Sequence, residues 1–249
     1  MPDTGFRPAD LKAIVFDVDG TLYRQGPLRR AMLFRLLAGH AAHPLNGWRT
    51  LRILRAYRQA QEHLRDDTSG DVAAAQIART CERTKIAPSA VVECVERWME
   101  REPLTFLPQS VQPGLLEFLS ACKARGLRLA ALSDYPAEAK LRALGIADLF
   151  DVALCAQDPA IGVFKPNPRG LLVTLERLGS SRRESLYVGD RVEVDAAAAE
   201  AAGMPCAILT PETTQAGSHM SITDYHHLHD LLFCGPKVTG PSRDLNRVA

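Results

Sequence analysis

Ala13-Ile14-Val15-Phe16-Asp17-Val18-Asp19-Gly20-Thr21-Leu22-Tyr23 is an apolar run that ends in two aspartates one residue apart, followed by a glycine and a threonine. Residues 14–16 are β-branched or aromatic and the run is bounded by Gly20, the pattern of a short, fully buried strand in a parallel sheet. The carboxylates of Asp17 and Asp19 therefore sit where that strand leaves the sheet. In open α/β sheets ligands bind just outside the carboxyl ends of the strands. Two acids and a Gly20-Thr21 turn at such a place point to a metal and an anion.

Downstream the periodicity becomes helical and stays so for about eighty residues. Pro27 is placed to open a first helix carrying Leu28, Met32, Leu33, Leu36 and Leu37, with a break over residues 40–47. A second helix is expected over 48–64, with Leu51, Leu54 and Tyr57 on one side. Its arginines, Arg49, Arg52, Arg55 and Arg58, spread over a broad face because three-residue spacing drifts around a helix. Residues 67–71 supply turn and N-cap groups for a helix over 72–83, and Pro88 opens a fourth with Val91, Val92, Val95 and Trp98.

Residues 103–113, with three prolines, read as a linker, after which helices and strands alternate. Strands are expected over 127–132, 150–155, 186–188 and 206–209. The helices between them are opened by Pro113, Pro136 and Pro166 or closed by Gly126, Gly145, Gly179 and Gly203. A last amphipathic helix is expected over 223–233, followed by a loosely ordered tail from Gly235. Such alternation specifies right-handed βαβ units, hence an α/β protein with a parallel sheet covered by helices on both faces.

The 249 residues suffice for a large domain plus a smaller one. Thirty basic against 29 acidic residues give a net charge of +1 and no electrostatic reason to propose nucleic acid as a partner. The total hides an asymmetry: nine arginines and a single acid, Glu62, fall between Arg24 and Arg65. Six cysteines without a Cys-x-x-Cys pair read as reduced thiols, which with the absence of a basic-then-apolar N-terminus suggests a cytoplasmic location. No window approaches the ~18 uncharged apolar residues of a membrane span. His226, His227 and His229 read as surface or packing residues, because a metal role needs two on one face and a third ligand.

Four short stretches fall at strand ends or helix starts in chain order: Asp17-Val18-Asp19-Gly20-Thr21, Ser133, Lys165-Pro166, and Gly189-Asp190 with Asp195. Together they resemble the haloacid dehalogenase superfamily, mostly Mg²⁺-dependent phosphohydrolases with an aspartate nucleophile. The helical stretch after the first motif resembles that superfamily's α-helical C1-type cap, and the whole is phosphoglycolate-phosphatase-like. The resemblance implies a Rossmann-like core from residues 1–23 and 108–249 and a cap from 24–107. A lone Asp-x-Asp is a weak sign; the ordered set is a strong one.

The chemistry suits those residue types. A phosphate ester is already negative, so a carboxylate attacks it only when the repulsion is cancelled, which a divalent cation can do. Mg²⁺ takes oxygen ligands and needs few from the protein. By resemblance, Asp17 is nucleophile and metal ligand, Asp19 gives its backbone carbonyl to the metal and Asp190 its carboxylate, while Asp195 holds a water at the metal or its neighbours. Asp19 is also implied as the acid that protonates the leaving group and then the base for water. Members that cleave carbon–halogen bonds lack that second acid, so Asp19 argues against a dehalogenase. Lys165 would keep Asp17 ionised, and Ser133, Gly20 and Thr21 would bind phosphate oxygens. Each residue also has a plainer reading: an Asp-Gly turn, an N-cap serine, a solvated lysine, a pair of capping acids. All four plain readings would have to coincide in family order.

Asp134 departs from the pattern, since many relatives have a neutral residue after this serine. Beside a phosphate it repels unless it turns away, gains a proton or meets a cation, so it is either a local capping acid or a contributor to substrate choice. The basic cap arginines either concentrate anionic substrates or form a solvated face, with an acidic membrane surface as a third option. The expected activity is Mg²⁺-dependent hydrolysis of a small phosphorylated metabolite through an aspartyl-phosphate. A phosphomutase of the same fold, or a non-catalytic binding or scaffold member, stands as the alternative.

Overall fold

The computed structural model describes residues 6–68, 70–211 and 219–234. Its six strands are β1 (Ala13–Phe16), β2 (Arg128–Ser133), β3 (Val152–Cys155), β4 (Ser185–Gly189), β5 (Cys206–Leu209) and β6 (Met220–Ile222). They form one parallel sheet in the order β3-β2-β1-β4-β5-β6. All four residues of β1 are buried, and a strand sealed in this way needs partners on both edges. Ala13 is accordingly in register with Arg128 on one side and Ser185 on the other. Strand alternation sends Ile14 and Phe16 to one face, where Phe118 and Tyr225 pack, and Ala13 and Val15 to the other, against Leu171, Leu175 and Ala198. The valine, leucine, isoleucine and phenylalanine side chains among these each contribute about 1.5–3 kcal/mol of burial.

Between β1 and β2 lie the helices α1 (Gln25–Gly39), α2 (Pro44–His63), α3 (Val72–Thr84) and α4 (Pro88–Val95), and among the described residues no strand of the sheet comes from this stretch. The chain leaves and returns through a narrow neck. Tyr23 bridges Val111, the Arg24 N–H donates to the Ser110 carbonyl at 2.7 Å, and the Gln112 N–H donates to the Leu22 carbonyl at 3.1 Å. The insertion has its own apolar cluster of Ile53, Tyr57, Val91 and Val95, against which Tyr135 from the sheet side packs. The remaining helices are α5 (Leu115–Ala124), α6 (Glu138–Ala143), α7 (Arg169–Leu178), α8 (Ala197–Ala202) and α9 (Tyr225–His229). No helix among the described residues is long and apolar enough to cross a membrane.

Several sequence expectations are corrected. Helix α2 begins at Pro44 rather than at residue 48, because proline is well suited to a first helical turn and the break needs only residues 40–43. Helix α7 begins at Arg169 rather than at Pro166: Pro168 disfavours a helical Asn167, whose side chain instead accepts from the Arg169 N–H at 3.0 Å. The proline-rich stretch is no slack linker. It winds into 3₁₀ turns, Glu102–Phe106 and Pro108–Ser110, that bury Pro103, Leu107 and Ser110. A sixth strand, β6, completes the edge of the sheet. The tail from Gly235 lies outside the described residues.

Candidate active site

The sheet order steps one way from β1 through β2 to β3 and the other way from β4 to β6, so the connections diverge at the carboxyl ends of β1 and β4. A crevice at such a reversal is the ligand site of doubly wound sheets. Asp17 follows β1 directly and Asp190 follows β4 directly, on neighbouring strands. Ser133 ends β2 on the other side of β1, and Lys165 comes from the loop between β3 and α7. The four stretches that are distant in sequence thus converge on one end of the sheet.

Asp17 and Lys165 are buried and joined, Nζ donating to Asp17 Oδ1 at 2.6 Å; the second carboxylate oxygen accepts from Thr21 Oγ1 at 2.9 Å. Lys165 also donates to Asp195 Oδ1 at 2.7 Å and to the Tyr187 hydroxyl at 3.0 Å. Tyr187 in turn donates to Asp195 Oδ1 at 2.8 Å, and the N–H groups of Asp190 and Arg191 donate to Asp195 Oδ2 at 3.2 and 3.1 Å. Asp195 is therefore a fully bonded buried acid. Burial raises its pKa, but Lys165 with these hydrogen bonds outweighs that and holds it below the usual carboxylate range. Asp17 goes the other way: burial, opposed by Lys165 and reinforced by the charges of Asp195, Asp190 and Asp19, pushes its pKa well up. The Asp190 carboxyl is pushed up to about 6, first by burial and then by Asp195.

These shifts describe a pocket with more carboxylates than cations. Asp17, Asp190 and Asp195 offer oxygen atoms within 4.8 Å of one another around a single lysine. An all-oxygen, net-negative donor set suits a hard divalent cation. Gly20 leaves room for it to form: at φ +110° a Cβ there would fall 2.0 Å from Asp190 Oδ2, so no other residue permits this approach. A second grouping, His229, Asp230 and Cys234, lies in the last described turn, with one histidine rather than two.

Asp19 stands apart from that group. Lys140 Nζ reaches both its carboxylate oxygens, at 2.6 and 2.8 Å, and the Tyr23 hydroxyl donates to Oδ1. Burial raises its pKa, yet Lys140, with help from Tyr23 and Lys165, brings it below the ordinary value. The Asp19 carbonyl accepts from Gln25 Nε2, which leaves one lone pair available. Next along the loop, the Gly20 carbonyl accepts from Gln112 Nε2 at 2.8 Å, and the Thr21 carbonyl accepts from the Tyr225 hydroxyl at 3.0 Å.

Ser133 is buried, its hydroxyl accepting from the Tyr135 N–H at 3.3 Å. Asp134 faces the helical insertion: its Oδ2 accepts from Gln61 Nε2 at 2.7 Å and from Arg65 Nη1 at 3.1 Å. Arg49, Arg52, Arg55 and Arg58 are exposed, and Arg52 donates to the Thr84 carbonyl at the end of α3. Sequence reasoning passed over Lys140, Tyr187, Gln25 and Arg65. Lys140 had a signal: it interrupts the apolar face Ala137, Leu141 and Leu144, which is buried throughout. Tyr187 had one too, since a tyrosine inside a buried strand needs a polar partner.

The sequence profile of the haloacid dehalogenase-like hydrolases matches residues 11–203. The chain is 32% identical over 215 residues to a phosphoglycolate phosphatase of Rhodospirillum rubrum, covering 80% of this chain and 79% of that protein. It is 28% identical over 207 residues to a glyceraldehyde 3-phosphate phosphatase of Methanopyrus kandleri, covering 78% and 82%. Its fold resembles that of a 2-haloacid dehalogenase from Pseudomonas syringae pv. tomato, with a TM-score of 0.62 at 22% identity over 89% of this chain and 98% of that one. That likeness is one of fold alone. With the converging loops and the matched span of residues 11–203, the chain belongs to the haloacid dehalogenase-like hydrolase family.

Proposed function

We propose that this hydrolase is a Mg²⁺-dependent phosphatase of small phosphomonoesters, with Asp17 as the nucleophile. The observation that carries the reading is the contrast between two acids two residues apart. Asp17 sits among Lys165, Thr21, Asp190 and Asp195, whereas Asp19 is held outside that group by Lys140 and Tyr23. Each carboxylate thus has its own lysine and its own surroundings, which lets the two take different parts in one reaction. The phosphatases similar to this chain are named for phosphoglycolate and for glyceraldehyde 3-phosphate, which supports a small phosphorylated metabolite as substrate.

In this mechanism Asp17 attacks phosphorus, an aspartyl-phosphate bond forms, and the ester P–O bond breaks. Asp19 gives the departing alkoxide a proton and then removes one from the water that attacks phosphorus, which releases inorganic phosphate and restores Asp17. Lys165 balances the charge of Asp17, while Ser133, Thr21 and the Gly20 turn orient the phosphate oxygens. Mg²⁺, taken up by Asp17, Asp190 and the Asp19 carbonyl, would cancel the repulsion between phosphate and nucleophile. Asp195 holds Lys165 and the Asp190–Arg191 backbone in place. Residues 24–107 are proposed as the cap over a core of residues 1–23 and 108–249, and the free thiols support a cytoplasmic location.

The test is a panel of phosphorylated metabolites assayed with and without Mg²⁺. Wild type is expected to turn over at least one in a metal-dependent way, with Asp17→Asn forming no acid-stable or trapped phosphoenzyme. Asp19→Asn is expected to be slowed by about 10²–10⁴-fold while keeping metal affinity. No metal-dependent turnover of any substrate would sink the reading.

A further inference from the structure

The end of α2 touches three of the four converging loops. Gln61 donates to Asp134 and accepts from the Tyr135 hydroxyl at 2.8 Å, just beyond Ser133. Glu62 Oε1 accepts from Arg191 Nη1 at 3.3 Å, next to Asp190. Arg65 stands at the centre. Its Nε and Nη2 donate to Glu62 at 2.8 and 3.1 Å, and its Nη1 is shared between Asp134 Oδ2, at 3.1 Å, and the Lys165 carbonyl, at 2.7 Å. Its side chain is 9% exposed and that of Asp134 is 13% exposed, so both charges are largely withdrawn from water. Asp134 Oδ1 is buried without a hydrogen-bond partner among the described residues. All the hydrogen bonds found to that carboxylate therefore fall on Oδ2.

We propose that Arg65 is a positioning residue for the hydrolysis. Through Asp134 and the Lys165 carbonyl it fixes the two loops that present Ser133 and Lys165 to the phosphate, so that the insertion and the nucleophile pocket move as one unit. The role of Asp134 in catalysis follows from the same contact: the acid is oriented toward a cation of the insertion and acts through the backbone beside Ser133. A planar guanidinium suits this task because it donates in several fixed directions at once, which a lysine ammonium on a flexible stem does not reproduce. The inference rests on the phosphatase reading for its kinetic consequences and on geometry alone for its structural ones.

The experiment pairs steady-state kinetics with hydrogen–deuterium exchange of the full chain, on wild type, Arg65→Met, Arg65→Lys, Asp134→Asn and the Arg65→Met/Asp134→Asn double variant. Arg101→Met, at an exposed pair with Glu96, serves as control. Arg65→Met is expected to lower kcat by about 100-fold with a smaller change in KM, as a slight misplacement of reacting groups does. Arg65→Lys should recover only part of this. The double variant should be more active than Arg65→Met alone, because it no longer buries an uncompensated carboxylate. Exchange in residues 133–137 and 164–168 should rise in Arg65→Met and not in the control. A folded Arg65→Met with wild-type kcat and unchanged exchange in both loops would overturn the proposal, as would simple additivity in the double variant. If Arg65→Met does not fold, Arg65→Lys and Asp134→Asn carry the same comparison. Absence of turnover in wild type would defeat the phosphatase reading, and the exchange data would still decide the brace.

Discussion

Lys140, a buried residue outside the four motif stretches, pairs with the partly buried Asp19 of the first, and the pair bears directly on the pH dependence of turnover. Burial alone would raise the Asp19 pKa; the ammonium of Lys140, at 2.6 and 2.8 Å, outweighs this and brings it below the ordinary value. Once its proton has passed to the leaving group, an ionised Asp19 is set to accept one from water, and the acidic limb of the rate of phosphoenzyme hydrolysis reports the loss of that base. Replacing Lys140 by methionine removes the main group that lowers the Asp19 pKa. The acidic limb of the rate of phosphoenzyme hydrolysis is then expected to move to higher pH, with Lys140→Arg close to wild type. An acidic limb that stays in place in Lys140→Met would show that Asp19 is not the base being read.

At the scale of elements, helix α3 ends on an unusual residue. Lys85 closes it with φ 56° in the left-handed region, its N–H donating to the Cys81 carbonyl at 2.7 Å. That conformation costs an L-residue roughly 1–2 kcal/mol. Glycine adopts it freely but gives up roughly 0.5–1 kcal/mol in chain entropy. Lys85→Gly is therefore expected to stabilise the protein by about 0.5 kcal/mol, a rise of a degree or more in Tm by thermal denaturation; a fall in Tm would mean that the lysine side chain contributes more than its backbone costs. The sequence disclosed the elements whose signals are local. The buried β1, the Asp71 N-cap of α3 and the Gly179 and Gly203 closures are all where residue type alone places them. It concealed those that depend on partners. β6 is three residues long and exists through its pairing with β5, and Leu33, Leu37 and Leu51 look like core residues yet remain 50%, 56% and 44% exposed. For the site, the acids announce themselves by spacing, whereas Lys140 and Arg65 act through contacts with residues 121 and 69 positions away.

For the molecule as a whole, the crowded carboxylates carry a stability cost. The folded-state pKa of Asp190 is about 6 and that of Asp17 is also raised, so between the ordinary carboxylate value of 3.8 and about 6 the folded protein holds more protons than the unfolded chain. Stability conferred by these groups is greatest at low pH and declines as pH rises through that window; above it the penalty is fully present. In a chelator, Asp190→Asn should thus gain in Tm relative to wild type as the pH goes from about 5 to about 7. Added Mg²⁺ should abolish or reverse that advantage, because a ligand that binds only the folded state stabilises it. An advantage that is independent of pH would show that the Asp190 charge is not what costs stability.

The hydrogen bond from the Tyr225 hydroxyl to the Thr21 carbonyl joins residues 204 positions apart in the chain. Seen in time rather than in space, it separates the making of the Asp17 loop from its completion. At a synthesis rate of about 5–20 residues per second, the Asp17 loop emerges about 10–40 s before the tyrosine that secures it. A nascent chain therefore carries the Asp17 loop through the synthesis of the next 204 residues without the contact that sets it, and the pocket becomes whole only once Tyr225 has emerged.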